Sequence, residues 1–293
     1  MNDQAQGLRD LVQGGWDSRT GETKIITISS GKGGVGKSNF ALNFGLSLQA
    51  RGHKVLIFDA DIGMANIDVL MGISPQFNLY HLLKKQKTIW EIVQTTQYGI
   101  SFIAGGSGFN DLISLTEEDL SYFNEQVGEL AGHFDYIIFD TGAGLSKETL
   151  KFILAANETI IVTTPEPTAI TDAYALIKMV HTMGHQVSFR LVINQVTDMK
   201  EGKQTANKIQ LVAQQFLSLD IAVLGYIESD LNVSKAVKRQ IPFHIAYPNS
   251  NASKSIRRLA DDFLSNEHKA LSKVTGSNGV KGFLIRMLRL MNK

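Results

Sequence analysis

The chain has 293 residues with 29 basic and 28 acidic side chains, so its overall charge gives no general attraction to nucleic acid. It contains no cysteine, which excludes a disulfide framework, a thiolate zinc site and an iron–sulfur cluster. The N-terminus does not resemble a signal peptide and no run of about 18 apolar residues is present, so we expect a cytosolic protein.

Residues 1–22 form a polar segment ahead of the first predicted strand. The segment contains Asp3-Gln4-Ala5-Gln6-Gly7-Leu8-Arg9 and carries a weak apolar stripe made by Ala5, Leu8, Leu11 and Val12. Composition alone predicts a disordered tail. We therefore separate residues 1–22 from a folded domain at residues 23–267.

Short β-branched runs alternate with longer amphipathic segments in the folded domain. Strands are predicted at residues 25–29, 55–58, 101–104, 136–139, 159–163, 189–193 and 223–227. Helices are predicted at residues 38–50, 116–131, 147–156, 169–183, 203–217, 231–238 and 253–266. The alternation indicates an α/β fold, a three-layer sandwich in which helices flank a mainly parallel twisted sheet. Ligands of such sheets lie beyond the carboxyl ends of the strands.

A glycine-rich loop follows the first predicted strand and reads Gly31-Lys32-Gly33-Gly34-Val35-Gly36-Lys37-Ser38-Asn39. The spacing Gly-x4-Gly-Lys-Ser between a strand and a helix is typical of a phosphate-binding loop, the P-loop. Its glycines let backbone N–H groups turn toward a triphosphate at a helix N-terminus. We expect Lys37 to reach the β- and γ-phosphates and the Ser38 hydroxyl to ligate Mg²⁺.

Lys32 is not required by the general P-loop pattern. With it, the segment from Lys32 to Ser38 resembles the deviant Walker A loop of the MinD/ParA family of dimerising ATPases. The resemblance implies that Lys32 crosses a dimer interface and touches the partner's nucleotide, where a cation offsets the repulsion between two nucleotides. Gly33 and Gly34 suit such a close backbone approach. Without the resemblance, Lys32 is a solvated lysine on an exposed loop.

Two carboxylates, Asp59 and Asp61, end the second predicted strand. A pair with this spacing is able to address Mg²⁺ and its water, or the attacking water. The family resemblance implies that Asp61 orients or activates that water and that Asp59 holds Mg²⁺ through water. Residues 63–68 also match the MinD branch of the family. The alternative is that both aspartates only terminate the strand.

Asp140 closes the apolar strand at residues 136–139, which is the Walker B arrangement of a carboxylate that acts on Mg²⁺ through water. The next residues, Thr141-Gly142-Ala143-Gly144, resemble switch II, where a backbone N–H senses the γ-phosphate. The family often has proline where this chain has Gly142. Glycine adds conformational freedom to the loop and leaves Asp140 in place.

Base recognition rests on fewer residues. Asn194 ends a predicted strand, and its carboxamide suits the donor and acceptor edge of adenine. Gln195 follows it and Asp198 lies one place too far for the guanine-reading Asn-Lys-x-Asp motif, which favours ATP over GTP. By the resemblance, Pro248 belongs to a loop whose backbone lies against the base, although a proline at the start of a helix is the alternative. Glu166 is a candidate contact to the nucleotide across the dimer.

The last residues, 281–293, follow a predicted linker at residues 268–280 and contain no acidic side chain. On a helical wheel, six apolar side chains fall within about 160°: Phe283, Leu284, Met287, Leu288, Leu290 and Met291. The basic side chains of Arg286, Arg289 and Lys293 fall on the other face. This pattern predicts a membrane-targeting helix at an anionic surface and resembles that of MinD-type proteins. Docking on the protein's own core is the alternative, and the two states are able to alternate.

The N-terminal tail carries a second resemblance. Residues 3–9 resemble the Asp-Gln-Ala-x-x-Leu-Arg motif of the FlhG family of MinD-like flagellar regulators. In that family the motif stimulates FlhF, a GTPase of the signal-recognition-particle (SRP) type. A glutamine orients attacking water and an arginine offsets developing charge, so Gln4 is the candidate inserted group and Arg9 its anchor or helper.

Together these features imply a slow, dimerisation-dependent ATPase with Mg²⁺ as cofactor, peripheral on the inner face of the cell membrane, that regulates flagellar number or placement. The implied partners are a second copy, an FlhF-type GTPase, flagellar basal-body C-ring proteins and anionic lipid. The alternatives are a cell-division MinD ATPase, a ParA-type DNA-partitioning ATPase and a metabolic P-loop enzyme. DNA is not expected, because Lys254, Arg257 and Arg258 are explained by a solvated helix face.

Overall fold

The computed structural model describes residues 23–61, 66–105, 117–185, 187–270 and 279–291, with the backbone alone for residues 117, 119–121, 267–270, 288 and 291. Its strands are β1 (Lys24–Ser30), β2 (Val55–Ala60), β3 (Gln94–Thr95), β4 (Ser101–Ile103), β5 (Tyr136–Ala143), β6 (Glu158–Thr163), β7 (Phe189–Val196) and β8 (Ala222–Glu228). They form one sheet in the order β3-β4-β2-β5-β1-β6-β7-β8, and only β3 pairs antiparallel. The first strand therefore lies inside the sheet.

Helices connect and cover these strands. They are α1 (Lys37–Gln49), α2 (Ile67–Met71), α3 (Leu79–Leu83), α4 (Ile89–Ile92), α5 (Glu117–Gly128), α6 (Lys147–Ala155), α7 (Pro167–Thr182), α8 (Met199–Leu217), α9 (Leu231–Arg239), α10 (Phe243–Ala246), α11 (Asn251–Ala270) and α12 (Gly279–Met291). Among the described residues, no helix is both long and apolar enough to cross a membrane.

Apolar side chains on both faces of the strands produce the three layers. In β1, Ile26 and Ile28 point into a core shared with α1, α2, α9, α10 and α11, whereas Ile25 points into a core shared with α3 to α6 and α12. Helices α7 and α8 continue the second layer over β6 and β7. Side chains alternate along a strand, so a strand buried on both faces reads as continuously apolar. The predicted α/β three-layer fold is confirmed.

The seven predicted strands are all present, and the short edge strand β3 is additional. Helix α8 begins at Met199 rather than residue 203, because the Asp198 carboxylate accepts hydrogen bonds from the backbone N–H groups of Lys200 and Glu201. Helices α2, α3, α4 and α10 were not predicted. They have four or five residues each, which is too short for a helical period to be visible.

The C-terminal helix α12 packs on the protein's own core in this structure. Val280, Phe283, Leu284 and Met287 are each at most 7% exposed, and the Phe283 ring stacks on Phe139 with centroids 5.0 Å apart. The docked alternative is therefore the state observed. The predicted linker overlaps α11, which runs to Ala270, and α12, while residues 271–278 lie outside the described residues.

Arg286 differs from its prediction. The helical wheel assigns it to the basic outer face, but the structure half-buries it, and its Nε donates to the Ala155 carbonyl at 2.7 Å. The Nη2 atom is buried with no hydrogen-bond partner among the described residues, and burial lowers the pKa of the guanidinium. The end of α6 reaches far enough to cover this side chain. Arg289 is exposed as predicted, and Leu290 is partly buried.

Candidate nucleotide-binding site

The P-loop joins β1 to α1 at the carboxyl end of the sheet, between β5 and β6. A side chain at Gly31 would place its Cβ 2.2 Å from a backbone carbon of Asp172 in α7, so only glycine fits there. Gly36 adopts a φ of 87° as the residue before α1, and a Cβ there would lie 2.4 Å from Asn194 Nδ2. The loop is therefore packed on both sides, by α7 and by the end of β7.

Lys37 and Ser38 begin α1 beneath the loop, as the motif predicts. The Lys37 ammonium donates to Asp140 Oδ1 at 2.8 Å and to the Ser38 hydroxyl at 3.3 Å, and it lies 4.0 Å from Asp61 Oδ2. Both Lys37 and Asp140 are buried. The structure thus brings the Walker A lysine and the Walker B aspartate into one ion pair, from which the ammonium is able to turn to phosphate oxygens.

Asp59 is also buried, and its carboxylate accepts hydrogen bonds from the backbone N–H groups of Asp61, Asn66 and Ile67. It therefore holds both ends of the loop that contains Asp61 and leads into α2. Burial, together with the nearby Asp140 carboxylate, raises the pKa of Asp59 to about 7. The sequence pattern of two aspartates did not reveal this loop-holding role.

The residues around Asp140 fit Mg²⁺. Asp140 Oδ2 is buried and has no hydrogen-bond partner in the described part of the chain, and a second carboxylate, Asp59, raises the local negative charge. No group of three or more His, Asp or Glu side chains within the described ranges makes a metal site by itself. This suits Mg²⁺, which binds few protein ligands and completes its octahedron with water and phosphate oxygens. Ser38 would supply the hydroxyl ligand, and Asp59 and Asp140 would act through water.

A cavity of about 630 Å³ opens beside this cluster. Asp61 forms part of its wall, half-buried, and burial raises the pKa of this carboxyl, an effect that Lys37 opposes and Asp140 reinforces. Switch II, at the end of β5, contributes Gly142 and Ala143. The N-terminus of α6 adds Ser146, Glu148 and Thr149, which the sequence motifs did not identify. They follow switch II directly, so their position in the chain was the available signal.

A second cavity of about 430 Å³ lies on the other side of the P-loop. Asn39 and Asn194, both predicted to bind nucleotide, line this cavity, and Asn194 Nδ2 donates to the Val35 carbonyl at 2.8 Å. Other polar residues of the wall were not identified from sequence: Gln195, Glu228, Ser229, Asp230, Ser234 and Lys238. Pro248 is not part of either cavity wall. It lies in the turn before α11, where its carbonyl accepts from Arg257.

Lys32 extends from the P-loop to the start of α7 in the same chain. Its ammonium donates to Glu166 Oε2 at 3.0 Å and to the Thr168 hydroxyl at 2.9 Å. The Lys32 and Glu166 side chains are 40% and 66% exposed, so the pair is open to solvent. Lys32 and Glu166, which the sequence suggested as separate contacts across a dimer, thus form an ion pair with each other within one chain. The tail candidates Gln4 and Arg9 lie outside the described residues.

Comparisons with known proteins identify the family. The ParA family model, described as NUBPL iron-transfer P-loop NTPase, matches residues 22–264. The flagellum site-determining protein YlxH of Helicobacter pylori is 37% identical over 298 residues, 99% of this chain and 100% of YlxH. The antiactivator FleN of Pseudomonas aeruginosa is 32% identical over 81% of this chain and 85% of FleN.

Among solved structures, the septum site-determining protein MinD of Pyrococcus horikoshii, complexed with Mg-ADP, superimposes with a TM-score of 0.68. The superposition covers 87% of this chain and 99% of that MinD, and the two sequences are 24% identical. The chain therefore belongs to the ParA family of P-loop NTPases and is an ATPase of the MinD/ParA type.

Proposed function

We propose that the chain is an ATP-dependent dimerisation switch that regulates the number or placement of flagella from the inner face of the cell membrane. The observation that carries the flagellar role is the similarity to YlxH, which extends over 99% of this chain rather than over the ATPase core alone. FleN, the second flagellar relative, is described as an antiactivator. A general likeness of the core would not distinguish this role from cell division.

The chemistry follows from the residues around the larger cavity. Lys37 would exchange Asp140 for the β- and γ-phosphates. The Ser38 hydroxyl would bind Mg²⁺ directly and the two buried carboxylates would hold it through water, which fits the Mg-ADP found in the MinD structure. Bound Mg²⁺ supplies charge neutralisation on the phosphates. Asp61 positions the attacking water from the cavity wall. No arginine is assigned to the transition-state charge, so hydrolysis is slow until a second copy completes the site.

Dimerisation depends on Lys32. Its ion pair with Glu166 is exposed, and exposed pairs of this kind contribute about 0–1 kcal/mol. The ammonium is therefore available at small cost when two nucleotides face each other and a stronger partner, a phosphate, is presented. In this proposal Glu166 and Thr168 hold the lysine while the protein is monomeric.

The test compares two variants, each of which removes one partner of the Lys32–Glu166 ion pair. With a non-hydrolysable ATP analogue, we expect Lys32→Ala to remain monomeric in light scattering, whereas Glu166→Gln forms the dimer at least as readily as the wild type. The Asp61→Asn variant should bind ATP, dimerise and lose most hydrolysis. An intact dimer in Lys32→Ala would contradict the role of this lysine.

Membrane association is proposed to require release of α12. Helix α6 touches both regions: its first residues line the phosphate cavity, and its last turns hold Phe283 and Arg286. A change of α6 on nucleotide binding would thus reach α12 directly. The Nη2 atom of Arg286, which is buried without a hydrogen-bond partner in the described part of the chain, favours release. Two released helices on one dimer bind lipid by avidity.

The N-terminal motif is proposed to stimulate an FlhF-type GTPase through Gln4, with Arg9 as anchor. We expect a peptide of residues 1–20 to accelerate GTP hydrolysis by that GTPase and Gln4→Ala to weaken the effect. Absence of acceleration by the unmodified peptide would remove this part of the proposal. C-ring proteins of the flagellar base remain proposed partners without an assigned surface.

A further inference from the structure

Gly142 lies where switch II approaches the loop that carries Asp61. A Cβ built on Gly142 would lie 3.3 Å from Asp61 Oδ1 and 3.6 Å from Thr149 Oγ1. The backbone of Gly142 does not have a positive φ, so alanine is conformationally allowed there. The tight contact that a side chain would make at this position is therefore with the Asp61 carboxylate, since 3.6 Å from Thr149 Oγ1 is an ordinary van der Waals separation.

A network of hydroxyl groups holds the Gly142 peptide. Thr149 Oγ1 donates to the Gly142 carbonyl at 3.3 Å, and the Ser146 hydroxyl donates to Thr149 Oγ1 at 3.1 Å. Ser146 also caps α6 by accepting from the Thr149 backbone N–H at 3.1 Å. The Thr141 hydroxyl donates to the Ile28 carbonyl and to that of Gly142. These bonds tie switch II to α6 and to β1, so that Gly142 is held in place.

A side chain at position 142 would change the position of the Asp61 carboxylate. A contact of 3.3 Å between a Cβ and a carboxylate oxygen is tighter than most such contacts, so a side chain at 142 would displace Asp61 by a few tenths of an ångström. Reaction rates respond strongly to such changes, because a misplacement of about 1 Å costs up to about 100-fold. The residue type at 142 thus controls where the Asp61 carboxylate is able to lie in the cavity.

We propose that Gly142 and Thr149 are positioning residues for ATP hydrolysis. Gly142 leaves the space that the Asp61 carboxylate occupies, and Thr149 fixes the Gly142 peptide beneath it. Neither residue is assigned a contact to the reacting atoms. The inference rests on the role proposed above for Asp61.

The first test adds a methyl group. In the full-length chain with Mg-ATP, we expect Gly142→Ala to lower kcat about ten-fold and to leave KM and the affinity for a non-hydrolysable analogue within about two-fold of wild type. Gly45→Ala is the matched control, because its Cβ would lie 3.1 Å from side-chain methyl groups of Ile57 and Ile100 in the core, away from the cavity. It should leave kcat unchanged.

The second test removes the hydroxyl. Thr149→Val should lower kcat about three-fold, and Thr149→Ser, which keeps the hydroxyl, should restore it. Thr159→Val is the control for loss of a buried strand hydroxyl, since Thr159 Oγ1 has no hydrogen-bond partner within the described ranges. Its kcat should match the wild type. Equal kcat for Thr149→Val and the wild type would overturn the role of Thr149.

A double-mutant cycle separates this inference from the function on which it rests. If Gly142 acts through Asp61, adding Gly142→Ala to Asp61→Asn should lower kcat no further. Normal hydrolysis by Asp61→Asn alone would overturn the proposed role of Asp61. Slow hydrolysis by Asp61→Asn with a normal rate for Gly142→Ala, or additive losses in the double variant, would overturn the positioning role and leave the function standing.

Discussion

The P-loop and the C-terminal helix α12 are both packed in this structure, but by different kinds of contact. The loop packs through its own backbone: the Gly31 backbone lies against the backbone of Asp172 in α7, and the Val35 carbonyl accepts from the side-chain amide of Asn194. Helix α12 is held by side chains, with the Phe283 ring on Phe139 and one side-chain hydrogen bond to the Ala155 carbonyl.

We call the P-loop the fixed part of this comparison and α12 the exchangeable part, because the proposed function requires α12 to leave the core. Only glycine fits where the Gly31 backbone approaches α7, and dense packing of this kind limits how far the loop and α7 are able to shift relative to each other. The apolar face of α12 is satisfied by any apolar environment, which includes the boundary of a lipid bilayer. In the function proposed above, the nucleotide site would be the rigid part and α12 the part that is released.

The largest expected effect comes from breaking the fixed part. Gly31→Ala would place a methyl group 2.2 Å from the backbone of α7, and overpacking against backbone should lower the free energy of unfolding by about 3 kcal/mol or more. Gly33→Ala is the control, because no atom lies within 4 Å of its Cβ position and its φ is not positive. Chemical denaturation measures both. Equal stability of the two variants would show that the loop is able to shift away from α7.

The next largest expected effect is a loss of stability at acid pH, caused by a histidine that packs on α1. His244 in α10 donates its backbone N–H to Asn43 Oδ1 of α1 at 2.8 Å, so it anchors the helix that follows the P-loop. Burial, with the charges of Arg257 and Arg51, lowers the pKa of its imidazole from 6.5 to about 4. Between these values the unfolded chain binds the proton and the folded chain does not, so stability falls as the pH falls.

For this single group, the free energy of unfolding should be about 2 kcal/mol lower at pH 5 than at pH 8. Carboxyl groups titrate in the same range, and the raised pKa of Asp59 acts in the opposite direction. The measurement is therefore the difference between wild type and His244→Gln at each pH. A difference that does not change with pH would contradict the assignment of this imidazole.

The residues of the fixed part, the P-loop and its neighbouring carboxylates, are recognisable from the sequence. The position of the exchangeable part, α12, is not. Gly31, Lys37, Asp59 and Asp140 are recognisable because phosphate binding requires those residue types at the ends of buried strands. The sequence does not reveal that Asp59 also holds the loop up to Ile67, because that depends on a backbone path after the strand.

Helix α12 shows the opposite case. Its periodicity predicts an amphipathic helix, but the same apolar face suits lipid and the protein's own core equally, so the docked position was not predictable. The burial of Arg286 depends on where α6 ends. In the same way, the pairing of Lys32 with Glu166 joins residues far apart in the chain, and no local pattern encodes it.

The smallest expected effect is on the docking of α12. Phe152 in α6 lies beneath the docked helix, with its ring centroid 6.4 Å from that of Phe283. Phe152→Leu leaves α12 unchanged and removes part of its docking surface, at a cost of about 1 kcal/mol. If α12 alternates between core and lipid, the released population should rise about two- to five-fold.

Sedimentation with anionic liposomes in the absence of ATP measures this release. Phe189→Leu is the matched control, since Phe189 belongs to the core cluster under α7 and α8, whereas the buried side chains of α12 belong to the cluster that contains Phe152. Truncation before residue 279 should abolish lipid binding in every background. If Phe152→Leu binds liposomes no better than Phe189→Leu, the core and the membrane do not compete for the same face of α12, and docking must then be a permanent part of the fold.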